Sequence, residues 1–183
     1  EAAKAFNFNR VNKAGAKFDW EKLNWLNSQV IHELSDEKLL EHMNRHWIVK
    51  EWQIPNQEWG LALTKLIAPS LNLIKDSVNL AQPFFEEPVL QDDAIKQINS
   101  IEAKQTLEIF LSQLEENPWD GIETEKANNI IQACMDLAEV KKGLIMKTLR
   151  AAFLGQLKGP DLIASWGLLA RIKEDKKRIK RCL

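Results

Sequence analysis

The sequence contains no tyrosine, and only two cysteines, three histidines, six prolines and seven glycines among 183 residues. Each scarcity excludes a class of chemistry. Cys134 and Cys182 cannot build a disulfide framework, so a reduced, cytoplasmic setting is expected. The glycines are scattered and form neither GxGxxG nor GxxxxGKS/T, so no nucleotide-phosphate loop is encoded. Of the histidines, only His42 and His46 stand at i and i+4, and Met43, not Glu, follows the first. That spacing can bind zinc, but the pair reads as surface or half-buried, and no metal site is expected. No apolar run approaches the roughly 18 to 20 residues of a bilayer-spanning helix, and no signal peptide is read in the sequence, so no membrane partner is expected. Glu1, in place of Met, reads as the start of a piece cut from a longer polypeptide.

What is present is a core and a charge gradient. Hydrophobic residues make up 45% of the chain, enough for one domain or two small ones. The formal net charge is −1, but it is unevenly spread. Residues 1–140 carry 13 Lys/Arg against 23 Asp/Glu, and residues 141–183 carry 12 against 3. A basic end on an acidic protein suits a phosphate-backbone partner, or the negative ends of helix dipoles.

The periodicity is helical nearly throughout. Asp19, Ser35 and Asn56 read as N-caps of three helices, and Pro69 stops the third. A further helix is expected from Ser70 to about Leu80. The two-proline stretch Gln82–Pro88 reads as a linker between helical subdomains. Asn99 with Glu102 resembles a capping box, and residues 117–121 a turn. A helix follows from about Thr124 to Val140, broken by Gly143. Gly155 stops the next helix, and Pro160 suits the first position of a last one. No convincing strand and no internal repeat occurs.

No catalytic constellation emerges. The carboxylate pairs Glu86/Glu87, Asp92/Asp93 and Glu115/Glu116 fall near turns or helix ends, where capping and solvation explain them. Cys134 sits among Ile130, Ile131 and Leu137 and reads as buried and inert. Cys182 lies in the basic tail, which would favour its thiolate. Trp20, Trp47, Trp52, Trp59, Trp119 and Trp166 read as core or half-core, although an exposed Trp near cations could stack a base. One segment stands out. Leu149–Leu162 reads as helix, glycine stop, tight loop and new helix, with Arg150 beside outward backbone N–H groups. Such a corner can grip a phosphate or a base edge, or be an ordinary corner in which Arg150 pairs with a carboxylate.

Two stretches resemble a known family. Residues 10–19 followed by Lys22-Leu23-Asn24-Trp25-Leu26-Asn27 are similar to the segment after the KMSKS loop of bacterial glutamyl-tRNA synthetases. Leu149-Arg150-Ala151-Ala152, Gly155 and Gly159-Pro160-Asp161-Leu162 resemble that family's "PLRxALTG…GPxL" motif. The resemblance covers essentially the whole chain and is cyanobacterial-like. It implies an all-α fold in which two small helical subdomains form an anticodon-binding helical cage. Residues 1–34 would be the tail of the stem-contact region leading into the first helix. Residues 35–82 and 83–183 would be the two subdomains. The chain has neither HIGH nor KMSKS and is expected to be inactive alone, with ATP and Mg belonging to the absent catalytic half. The expected partner is the anticodon arm of tRNA, and the expected state a monomer. By resemblance the RNA-binding residues are Trp25, Ser70, Arg150, Gly159, Pro160 and Leu162. Some relatives place an arginine where Ser70 stands, and it separates a cytosine from a guanine at the third anticodon position. A serine hydroxyl both donates and accepts, so Ser70 implies tolerance of both, and charging of both glutamate and glutamine tRNAs. Thr148 and Leu154 depart from the family's Pro and Thr. The competing reading is a helical protein-interaction adaptor docking an acidic partner through its basic C-terminal surface.

Overall fold

The computed structural model describes residues 19–183, so residues 10–18 of the first resembling stretch lie outside the described residues. Among the described residues there are ten α-helices and no strand. They are α1 (Trp20–His32), α2 (Asp36–Val49), α3 (Gln57–Ile67), α4 (Ser77–Phe85), α5 (Asp92–Ile98), α6 (Ile101–Glu116), α7 (Thr124–Ala138), α8 (Lys142–Leu154), α9 (Leu162–Arg171) and α10 (Asp175–Cys182). Two 3-10 turns, Ala68–Ser70 and Ile74–Asp76, separate α3 from α4.

Side-chain caps fix several starts. Asp19 accepts from the Lys22 N–H at 3.0 Å, and Asn56 from the Trp59 N–H at 2.9 Å. Ser35 accepts from the Lys38 N–H at 3.4 Å. Each satisfies an N–H that the helix itself leaves free.

Elsewhere the structure departs from the local signals. Pro69 does end α3, but the chain then forms the short turns, and α4 begins only at Ser77. It runs through Pro83 to Phe85, where the sequence suggested a linker. Pro83 withholds a donor from the Asn79 carbonyl, but Asn79 is exposed to water, while Ala81 and Phe84 are fully buried. Burial of that face outweighs the lost bond. Ser100, not Asn99, caps α6, accepting from the Ala103 N–H at 3.2 Å. Asn99 instead closes α5, a helix the periodicity did not reveal. Gly143 lies inside α8; the break before it is made by Glu139, which takes a left-handed conformation at φ 52°. Pro160 precedes the cap rather than opening the helix. Asp161 is the N-cap of α9, accepting from the Ala164 N–H at 2.8 Å. The last predicted helix is in fact two, turned between α9 and α10 at Lys173, with φ 60°.

One continuous hydrophobic cluster runs from Ile31 to Ile179. Its aromatic members chain together, with Trp52 stacked on Phe85 at 5.0 Å and Trp119 edge-on to Trp166 at 4.2 Å. Trp59 crosses between distant parts of the chain, its indole N–H donating to the Leu168 carbonyl at 2.9 Å. The turn before α7 lies against α9 with almost no clearance. A Cβ on Gly121 (φ +84°) would stand 2.2 Å from the Gly167 carbonyl oxygen.

Candidate nucleic-acid interface

The corner at the end of α8 is built from backbone outward. Gly155 ends the helix at φ +72°, its N–H donating to the Ala151 carbonyl at 2.9 Å. Its own carbonyl accepts from the Gln91 N–H at 2.8 Å, which pins this loop to residues 86–91, the strap before α5. A side chain at Gly155 would collide with the Val89 carbonyl at 2.5 Å. One turn before the stop, Arg150 donates from Nη1 to the Pro160 carbonyl. Gly159, at φ +150°, faces both polar side chains of the corner. A Cβ there would meet Gln156 Nε2 at 3.1 Å and Arg150 Nη1 at 3.6 Å. Among the described residues no carboxylate forms an ion pair with Arg150, so its charge is held by a backbone dipole and stays uncompensated. The structure thus brings Arg150, Gly159 and Pro160 together. Leu162, at the start of α9, is buried in the core.

Trp25 and Ser70 stand on two elements that pack together, α1 and the turn after α3. Trp25 is 58% exposed on α1, and Ser70 is exposed in the 3-10 turn after α3. α1 is docked on that turn by Asn27 Nδ2, which donates to the Asn72 carbonyl at 2.5 Å, and by His32 Nε2, 3.1 Å from the Ala68 carbonyl. A cavity of about 420 Å³ opens between them, floored by Ile31, Leu39, Ala68 and Pro69. Trp20, expected in or near the core, is instead 68% exposed on the same helix.

The basic end divides sharply. Arg178 is 3% exposed and acts as an internal clamp, donating from Nη1 to the Phe153 carbonyl and from Nη2 to the Glu86 carbonyl at 2.9 Å. Burial lowers its pKa to about 10, so the cation is held by those dipoles against the cost of desolvation. Arg181 pairs with Glu87 at 3.5 Å, Lys180 with Glu115 at 3.3 Å, and Arg171 with Glu58 at 3.5 Å. The α10 cations are therefore largely engaged within the molecule. Lys141, Lys142, Lys147 and Lys158, all exposed, have no carboxylate partner among the described residues. Unpaired positive charge thus lies along α8 and in its terminal loop, and also at Lys173 and Lys176 around the start of α10.

Cys134 is fully buried, and desolvation pushes its thiol up to about 12. Burial also raises the Cys182 thiol, with Glu87 adding to the effect, so the thiolate is disfavoured there despite the basic tail. His42 is half-buried and His46 exposed. Among the described residues no three metal-ligating side chains converge. No described helix is long and apolar enough to cross a membrane. Motif reading did not single out Gln91, Gln97 or Gln156. Gln97 Nε2 donates to Thr148 Oγ1 at 3.0 Å, which ties α5 to α8 at the position where the resembling family has proline.

An all-helical scaffold that presents a cationic, glycine-shaped loop has a known counterpart. Residues 37–183 match the anticodon binding domain family, and the chain belongs to it. Along its whole length the chain is similar to glutamate–tRNA ligases. It is 52% identical over 183 residues to that of Prochlorococcus marinus (strain MIT 9303) and 50% identical to that of Synechococcus sp. (strain CC9311), covering 100% of this chain and 38% of each relative. It spans well under half the length of the curated relatives it matches. Among solved structures it superposes on a glutamate tRNA ligase from Elizabethkingia meningosepticum, crystallised in complex with its amino acid. The TM-score is 0.84 at 25% identity, over 97% of this chain and 34% of that one.

Proposed function

We propose that this chain reads the anticodon arm of tRNA as the RNA-binding part of a longer glutamate–tRNA ligase. The longer protein attaches glutamate to tRNA with ATP, in a catalytic part that carries HIGH and KMSKS. The observation that carries this reading is the Arg150 corner. A guanidinium without a carboxylate partner stands over a loop shaped by a side-chain-free glycine, with the unpaired Lys147 one turn before it on α8 and the unpaired Lys158 in the loop itself. Single-stranded loops are recognised by such means, through splayed bases, donor groups and phosphate contacts. Trp25 supplies an exposed aromatic face on α1.

Ser70 makes this reading permissive. Its short hydroxyl can donate or accept, so it serves either a cytosine or a guanine at the third anticodon position. The parent enzyme would then charge both glutamate and glutamine tRNAs. A binding titration at one fixed salt concentration tests both parts, using stem-loops with each base and an unrelated hairpin as control. Equal affinity for the first two, above the control, is expected. A tenfold preference for cytosine, about 1.4 kcal/mol, would overturn the permissive role of Ser70. Binding no better than the control would overturn the tRNA reading and favour a protein-docking adaptor.

A further inference from the structure

We infer that Gln156 is a second base-reading side chain beside Arg150, held in orientation by Gln91. The inference rests on the anticodon-binding reading and names a specificity-determining residue within that site. Gln156 is half-buried in the loop that follows Gly155, and its amide lies over Gly159. Its Oε1 accepts from Gln91 Nε2 at 3.5 Å. The strap and the loop are already joined by the shorter Gln91 N–H to Gly155 carbonyl bond, at 2.8 Å, so the amide pair is not needed as a tether. With Oε1 facing Gln91, the Gln156 NH₂ lies on the side of Gly159 and Arg150. Among the described residues that NH₂ has no acceptor. An amide so placed offers two donors to a base edge that carries a carbonyl oxygen or ring nitrogen.

The absent side chain at Gly159 is what gives this donor its room. Any Cβ would stand 3.1 Å from Gln156 Nε2 and press it aside by a few tenths of an ångström, while Arg150 Nη1, at 3.6 Å, would be in ordinary contact. Arg150 differs in kind, because its Nη1 is committed to the Pro160 carbonyl and its charge acts at longer range. The two side chains therefore divide the work. Arg150 attracts and positions the negative strand, and Gln156 asks whether the base beside it has an acceptor in the right place.

The test uses the 183-residue chain and stem-loops in which each anticodon position is varied in turn. The wild-type chain should discriminate at one position, and Gln156→Ala should lose about tenfold on the favoured base there, with little change for the others. Its salt dependence should match wild type, since no phosphate contact is removed. Gln91→Ala should produce a smaller loss at the same position, and Arg150→Ala should weaken all stem-loops and flatten the salt slope. A Gln156→Ala chain that loses affinity uniformly, or not at all, while wild type still prefers stem-loops to an unrelated hairpin, would overturn the inference alone. Wild-type binding no better than the hairpin would overturn the reading beneath it, and the inference with it. Unchanged helical circular dichroism and melting temperature in Gln156→Ala exclude misfolding as the cause.

Discussion

At the end of α8, Arg150 stands over a loop set by two left-handed glycines and pinned to the strap before α5. On α1 and the turn after α3, Trp25 and Ser70 stand on ordinary backbone, exposed and uncharged. The first corner is shaped by what cannot be replaced, close backbone approaches and positive φ. The second is shaped by side chains that can be exchanged with little effect on the fold. A surface of the first kind holds a ligand in register, whereas one of the second kind can drift in specificity while the scaffold stays put. That contrast is what the following changes break or sharpen.

The largest effect should come from behind the first corner. Arg178→Met keeps much of the buried volume but leaves the Phe153 and Glu86 carbonyls without their charged donor. A hydrogen bond to a charged group contributes about 1.5–3 kcal/mol, so unfolding in urea should show a loss of about 3 kcal/mol. A loss under about 1 kcal/mol would mean that Arg178 does not clamp this corner. Next comes Gly155→Ala. The new methyl must occupy a left-handed residue and push on the Val89 carbonyl, 2.5 Å away. A non-glycine residue held in that region costs about 1–3 kcal/mol, so a loss of about 2 kcal/mol is expected, with weaker stem-loop binding.

The second region should behave differently. Trp25→Ala should change stability by less than about 0.5 kcal/mol, as exposed positions do. It should weaken stem-loop binding by about 1.5 kcal/mol, in the lower half of the range for a base stacked on an aromatic side chain. A fall in melting temperature with unchanged affinity would recast Trp25 as a packing residue.

The same contrast governs what could be read in the sequence. Caps that act within three residues were legible, as at Asp19, Ser35 and Asn56, and so was the glycine stop at Gly155. The choice between Asn99 and Ser100 was not, because both are good caps and burial of Ala103 decides the register. Pro83 looked like a break because a missing N–H is a local fact, while the burial of Ala81 and Phe84 is a tertiary one. Arg178 looked like part of a phosphate-facing tail. Its acceptors lie 25 and 92 residues away in the chain, and nothing local announces them. At the Arg150 corner, the local reading pointed to Arg150 and the family resemblance added Gly159 and Pro160, which the fold does bring together. Both were silent on Gln156 and Gln91, whose meeting depends on the strap before α5.

Ser70→Arg sharpens the comparison at the smallest scale. Ser70 is exposed at the end of a three-residue turn, and no side-chain hydrogen bond of its own holds that turn. The larger side chain can extend into solvent, and stability should stay within about 0.5 kcal/mol of wild type. Binding should not stay the same. A guanidinium is donor-only and keeps its donors in a fixed plane, so it rewards the acceptors of one base edge and leaves another base's donor unpaired. The variant should prefer a cytosine at the third anticodon position about tenfold, or 1.4 kcal/mol, where the wild-type chain shows no preference. The readout is the ratio of the two dissociation constants at one salt concentration, because the added charge strengthens binding to every stem-loop alike. An unchanged ratio in Ser70→Arg, with tighter binding to both, would show that this turn touches the strand but does not read it.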